Sequence, residues 1–114
     1  MPITDILNHS SVTLGTSASR VFPKAPTANG SILPRTHVSI TIPASFGGTV
    51  FFAMTPKADT DPTDAAIKAA VYGESPGGKT VELFAGEAVD VWGWTSAGTV
   101  PVVPHSIVLR EASR

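Results

Sequence analysis

The chain has no cysteine, so disulfides, thiolate chemistry and metal sites built on sulfur are all excluded. Charge is scarce too: charged residues make up 15% of the sequence, against roughly 25% in an average soluble domain. Eight basic and nine acidic side chains leave a formal net charge of −1, with no basic tract and no acidic tail. That balance argues against a nucleic-acid partner held by electrostatics. No window approaches the roughly 18 apolar residues of a membrane span, and Met1-Pro2-Ile3-Thr4-Asp5-Ile6-Leu7 has neither a basic lead nor a continuous apolar run. The expectation is a soluble product made in the cytoplasm, without a membrane or nucleic-acid partner.

Glycine and proline, by contrast, are plentiful, with ten of each in 114 residues. Spread along the chain, they cut it into short pieces, which favours many short strands over long helices. His37–Ile42 shows the pattern best: Val38, Ile40 and Ile42 alternate with His37, Ser39 and Thr41, giving one core face and one polar face. Other strands are expected at Ser11–Leu14, Ser19–Phe22, Thr49–Met54, Ala69–Tyr72, Lys79–Phe84, Ala88–Trp94 and Ser106–Glu111. Pro23–Pro34, with the turn signal Asn29-Gly30, is expected as a loop, and Pro101 and Pro104 mark the loop into the last strand. Asp61 with Pro62 can start a helical turn or two through Ala70. The resulting expectation is all-β: a compact antiparallel β-sandwich, jelly-roll-like, of about seven to eight short strands, with at most one short helix near residues 62–70. Residues 1–10 are expected as an N-terminal arm and residues 11–114 as one domain.

Two enzyme signatures overlap in the middle of the chain. Gly73-x-Ser75-x-Gly77 matches a hydrolase nucleophile elbow, and Gly73-x4-Gly78-Lys79-Thr80 matches a phosphate-binding loop. The elbow fails because the residue after its serine must donate a backbone N–H to the oxyanion, and Pro76 has none. The phosphate loop needs a helix after Thr80, yet Val81 and Leu83 alternate with Thr80 and Glu82, and Gly86 follows. A glycine-rich hairpin loop between two strands is the expectation. Asp59, Asp61 and Asp64 lack the glycine and the closing glutamate of a calcium loop and read as a capping cluster. His9, His37 and His105 lie in three separate segments without a telling spacing. No catalytic residue, metal or cofactor is therefore assigned.

Apolar residues at unusual places remain. Val50-Phe51-Phe52-Ala53-Met54 is apolar on both faces, so it is either central with covered faces or exposed at a subunit interface. Trp92 and Trp94 share one face, which is either core or an aromatic surface for a partner subunit or a sugar. Together with Ile3, Ile6 and Leu7 of the arm, these make Ile3, Ile6, Leu7, Phe51, Trp92 and Trp94 candidate interface residues, and a homo-oligomer would bury them.

The order of motifs resembles the small β-sandwich virion proteins of tailed bacteriophages, capsid decoration (cement) proteins and head-fibre or spike modules. The residues that carry the resemblance are Ser11-Val12-Thr13-Leu14-Gly15-Thr16, Arg35 ahead of Val38-Ser39-Ile40-Thr41-Ile42, Thr49-Val50-Phe51-Phe52, Gly73-Glu74-Ser75, Gly86-Glu87-Ala88-Val89, Trp92, and Ile107-Val108-Leu109-Arg110-Glu111. The resemblance implies a non-enzymatic structural protein on the virion's capsid surface, commonly a trimer, whose partners are the major capsid protein and copies of itself. Two other readings stay open: a receptor- or carbohydrate-binding module that uses Trp92 and Trp94, and a nucleotide-binding enzyme that uses Lys79.

Overall fold

The computed structural model describes residues 2–8, 10–22, 35–56, 58–83, 85 and 89–111, with backbone alone at 2–8, 35–36 and 108–111. Within them lie β1 (Pro2–Asn8), β2 (Val12–Leu14), β3 (Ser19–Arg20), β4 (Arg35–Thr41), β5 (Thr49–Pro56), α1 (Asp64–Ala69), β6 (Val71–Pro76), β7 (Thr80–Leu83), β8 (Val89–Thr95) and β9 (Val100–Glu111). One sheet has the order β1-β9-β4-β7, with β2 also on β9, and the other is β3-β8-β5-β6. Every pairing is antiparallel. Asn8 faces His105 and Val12 faces Val102, so β2 continues β1 along one edge of β9. Counted as one interrupted strand, the pair reduces the set to eight strands. All connections cross between the sheets except the one from β5 through α1 to β6, which is jelly-roll topology. The expected all-β sandwich with one short helix is the observed fold.

Alternation decides which side chains meet between the sheets. Val38, Ile40 and Ile42 on and just after β4, Val50 and Phe52 on β5, Val91 on β8 and Val100 and Val102 on β9 are all buried in one cluster with Leu14, Val21, Phe22 and Leu83. Gly93 is needed for this packing: a Cβ there would stand 2.8 Å from Leu14 Cδ1 and 3.1 Å from Val21 Cγ2. The doubly apolar β5 is a central strand, flanked by β8 and β6. Phe52 faces the main cluster, while Ala53 and Phe51 belong to a second one on the outer face of the same sheet. Both faces of β5 are thus covered within the chain.

Several boundaries depart from expectation. The arm is a strand, β1, paired along the distal half of β9. Strand β9 begins at Val100, so Pro101 and Pro104 sit inside it rather than in a loop. The registers explain why this is tolerated: β4 pairs with β9 only from Val103 onward, leaving Pro101 without a β4 partner, and Pro104 falls between Val102 on β2 and His105 on β1. Each proline therefore has one edge where no ladder needs its missing N–H. The N-cap of α1 is Thr63, whose Oγ1 accepts from the Ala66 N–H at 3.2 Å, rather than Asp61. The loop expected at Pro23–Pro34 lies outside the described residues.

The glycine loop is not a hairpin, because β6 belongs to one sheet and β7 to the other. It crosses the sandwich edge and is latched to the turn after β4. Gly78 N–H donates to the Ile42 and Pro43 carbonyls at 3.0 and 3.1 Å, and Ile42 N–H donates to the Lys79 carbonyl at 2.9 Å. Gly78 has a φ of 80°, open to glycine at little cost. Gly77 passes so close to the Phe46 and Pro43 carbonyls that a Cβ would collide with backbone. Of the glycines that mimic enzyme motifs, Gly77 and Gly78 are thus required by chain crossing, whereas a Cβ at Gly73 would meet nothing within 4 Å.

Candidate functional site

Both decoy motifs resolve into strands. Thr80–Leu83 is β7, so the helix a phosphate loop requires is replaced by extended chain, and Lys79 is an exposed residue whose carbonyl is used by Ile42. Ser75 is buried on β6, with its hydroxyl donating to the Pro76 carbonyl at 3.0 Å. Of the three histidines, His9 lies outside the described residues. The other two sit on the outer face of the β1-β9-β4-β7 sheet: His105 is opposite Ser39, and Ser39 is opposite Glu82. This row puts the serine between histidine and carboxylate, whereas a nucleophilic relay needs the histidine in the middle. Among the described residues no group of three His, Cys, Asp or Glu could hold a metal ion. Asp61 and Asp64, which mimic a calcium loop, are engaged by Arg20, Lys68 and the Ala18 N–H.

The outer face of the β3-β8-β5-β6 sheet is the most elaborate part of the molecule. Its second cluster contains Ala53, Trp92, Trp94 and Ile67 of α1, with Ala18 and Phe51 at the margin. Trp92 is 5% exposed and Trp94 7%. Trp92 donates its indole N–H to Thr55 Oγ1 at 2.8 Å, satisfying a buried donor. Phe51, half-buried, stacks on Trp94 with centroids 5.7 Å apart. Trp92 and Trp94, which the sequence leaves open between core and an aromatic interface, are therefore buried in a second apolar cluster of the chain itself with Ile67 of α1, and the interface candidate Phe51 packs half-buried at its margin. Backbone register places Ile3, Ile6 and Leu7 along β9 opposite Arg110, Ile107 and Ser106, and their side chains lie outside the described residues.

Arg20 ties this face together. Its guanidinium carbon lies 4.6 Å from the Trp92 ring centroid. Nη2 bonds Asp61 at 2.7 Å and buried Asp90 at 3.3 Å. The hydrogen bond to Asp61, reinforced by Asp90, raises the arginine above its ordinary value against the opposing effect of burial. Its Nε is buried without a hydrogen-bond partner, a cost offset in part by the stacking on Trp92. Asp64 accepts from the Ala18 N–H at 2.6 Å and pairs with Lys68 at 3.0 Å, and both hold its carboxyl below the ordinary range, the Ala18 bond most. Lys68 also donates to the Thr16 carbonyl at 2.7 Å.

The surface feature that sequence reasoning missed is at the edge. Strand β6 ends its sheet, and among the described residues no strand pairs with its outer side. Gly73 faces Phe52 and Val71 faces Ala53, which leaves Tyr72 as the extra residue of a bulge. A bulge turns consecutive side chains outward, and Val71 is 51% exposed and Tyr72 60%. With Val103 at 38%, they are the large apolar residues on the described surface. The apolar run Ala69–Tyr72 carried no sign of this exposure, since only the register against β5 reveals it.

No protein-family model matches the chain, and no curated protein matches it. Among solved structures, one similar chain comes from work on Bacillus endospore appendages that form a novel family of disulfide-linked pili. The TM-score is 0.53 at 9% sequence identity, covering 99% of this chain and 89% of that one. A likeness at that identity concerns the fold alone. No helix among the described residues is long and apolar enough to cross a membrane.

Proposed function

We propose that this chain is a non-enzymatic structural subunit of a larger protein assembly, of the capsid decoration type that its motifs resemble, bound to a coat lattice and to copies of itself. The observation that carries the reading is the pair Val71 and Tyr72, more than half exposed at the free edge of β6. Large apolar side chains held in water at a register shift of an edge strand are a feature that a partner surface would bury. A charge-poor composition supports the same reading. The pilus neighbour offers a parallel in which a similar fold serves assembly. The disulfide links of those pili are closed to a chain without cysteine, so contacts here would be non-covalent. A carbohydrate- or receptor-binding module of a fibre or spike would use Trp92 and Trp94 as a stacking surface, and both are buried here, in a cluster with Ile67 and in contact with Arg20 and Phe51.

The test is to mix the purified protein with undecorated phage heads, then measure occupancy and the heat resistance of the particles. The expected result is saturable binding and a raised disruption temperature, both weakened by Val71→Ser with Tyr72→Ser. A folded protein that ignores the heads would remove the decoration reading.

A further inference from the structure

We infer that Ala58–Ala70 is a latched flap: it opens as a unit from the Trp92–Trp94 face while the jelly roll beneath stays folded, and the charges of Asp61, Asp64, Arg20 and Lys68 hold it shut. The inference concerns the chain by itself and does not depend on what assembly it joins.

Three observations support it. Of residues 58–70, Ile67 alone is buried, so one side chain provides the segment's apolar anchor. The helix within it has six residues, too few to hold together without tertiary contacts. The remaining attachments are polar and lie at the surface: Asp61 to Arg20, Asp64 to the Ala18 N–H, and Lys68 to the Thr16 carbonyl. The strands below are held differently. β5 and β8 are paired on both sides and share the main core through Val50, Phe52 and Val91. Local opening follows the least densely buried unit, and here that unit is the flap.

Opening has a defined consequence. The part of the Trp92, Trp94 and Ala53 surface that Ile67 covers would face solvent, with Phe51 still on Trp94 and Arg20 still over Trp92, and Arg20 would keep Asp90 while losing Asp61. The Trp92 indole bond to Thr55 lies between strands β8 and β5 and does not involve the flap. The flap would thus conceal an aromatic face that remains ordered when uncovered. Because single exposed ion pairs are weak, the latch depends on several acting together, and removing two should be visible.

The experiment is native-state hydrogen exchange at neutral pH on the full chain, comparing Asp61→Asn/Asp64→Ala with the parent. Ile67 N–H bonds Thr63 and Ala70 N–H bonds Ile67 in the closed flap, so these two amides report it directly. In the parent they should exchange faster than the amides of β4 and β5. In the double variant their exchange should rise about tenfold or more, with β4 and β5 amides unchanged. A second variant, Lys68→Gln, removes the Thr16 link and leaves Arg20 with both carboxylates; a smaller rise confined to the same amides is expected. The inference fails if flap and strand amides exchange with one common protection in the parent. It also fails if the double variant leaves Ile67 and Ala70 unchanged, or if both variants unfold the sandwich along with the flap.

Discussion

The Arg20 guanidinium carbon lies over Trp92, 4.6 Å from the ring centroid, and from there the side chain reaches two carboxylates on different elements, Asp61 before α1 and Asp90 on β8. The contact with the ring uses a planar cation, and Asp61 is held by both terminal nitrogens, Nη2 at 2.7 Å and Nη1 at 3.4 Å, which needs a fork. Lysine supplies the charge but neither of these.

The first expectation follows from that geometry. Arg20→Lys should destabilise the protein by about 1 kcal/mol, through lost stacking and a poorer bond to Asp90. Arg20→Met should cost more, up to about 3 kcal/mol, because it strands the buried Asp90 carboxylate. The exposed Asp61 pair contributes little to either figure. Urea midpoints of the three proteins, with slopes checked for constancy, measure it. Equal stability of the methionine variant and the parent would show that Asp90 is held by other groups.

A second expectation separates structure from motif. Gly77→Ala drives a methyl group into the Phe46 and Pro43 carbonyls and should cost about 1–3 kcal/mol or more. Lys79→Ala, the change a phosphate loop could not survive, should stay within about 0.5 kcal/mol, since the side chain is exposed and only the carbonyl is used. Nucleotide titration of both proteins completes the comparison: no ATP or GTP binding is expected, and a tight site lost in Lys79→Ala would reverse the assignment of this loop.

Asp64 makes the third expectation one of pH. Its carboxyl is held below the ordinary range by the Ala18 N–H and then by Lys68. A depressed folded value stabilises the folded form at pH above the unfolded value of about 3.9, and that contribution is lost as pH falls through the folded value. The stability gap between parent and Asp64→Ala should therefore be constant from neutrality to about pH 5 and shrink below about pH 4. Thermal melts at stepped pH measure it, and a gap that widens in acid would contradict the assignment.

How far the sequence reveals the fold can be judged from particular residues. The alternation of Val38, Ile40 and Ile42 exposes β4 and its core face, since strand period and burial coincide there. Val50–Met54 shows two apolar faces, but composition could not say what covers the outer one, because the answer is a helix some ten residues further on that contributes Ile67. Pro101 and Pro104 look like loop residues because local rules cannot see that β9 lacks a partner on one edge at each of them. The two tryptophans stay open between core and interface for the same reason: their burial with Ile67 of α1 is a tertiary fact. Tyr72 is the reverse case, an apparent strand residue turned outward by a register shift that only pairing reveals.

The exposed edge leads to the measurement that bears most directly on the assembly reading. Sedimentation velocity over a range of concentrations should show the intact chain associating, and Val71→Ser with Tyr72→Ser should shift it toward monomer at an unchanged melting temperature. Both side chains are more than half exposed, so the folded monomer loses little by the change. Reversible association that disappears in the double variant is the expected result. A chain that remains monomeric at every concentration, with the variant indistinguishable from the parent in sedimentation and in binding to undecorated heads, would contradict the account.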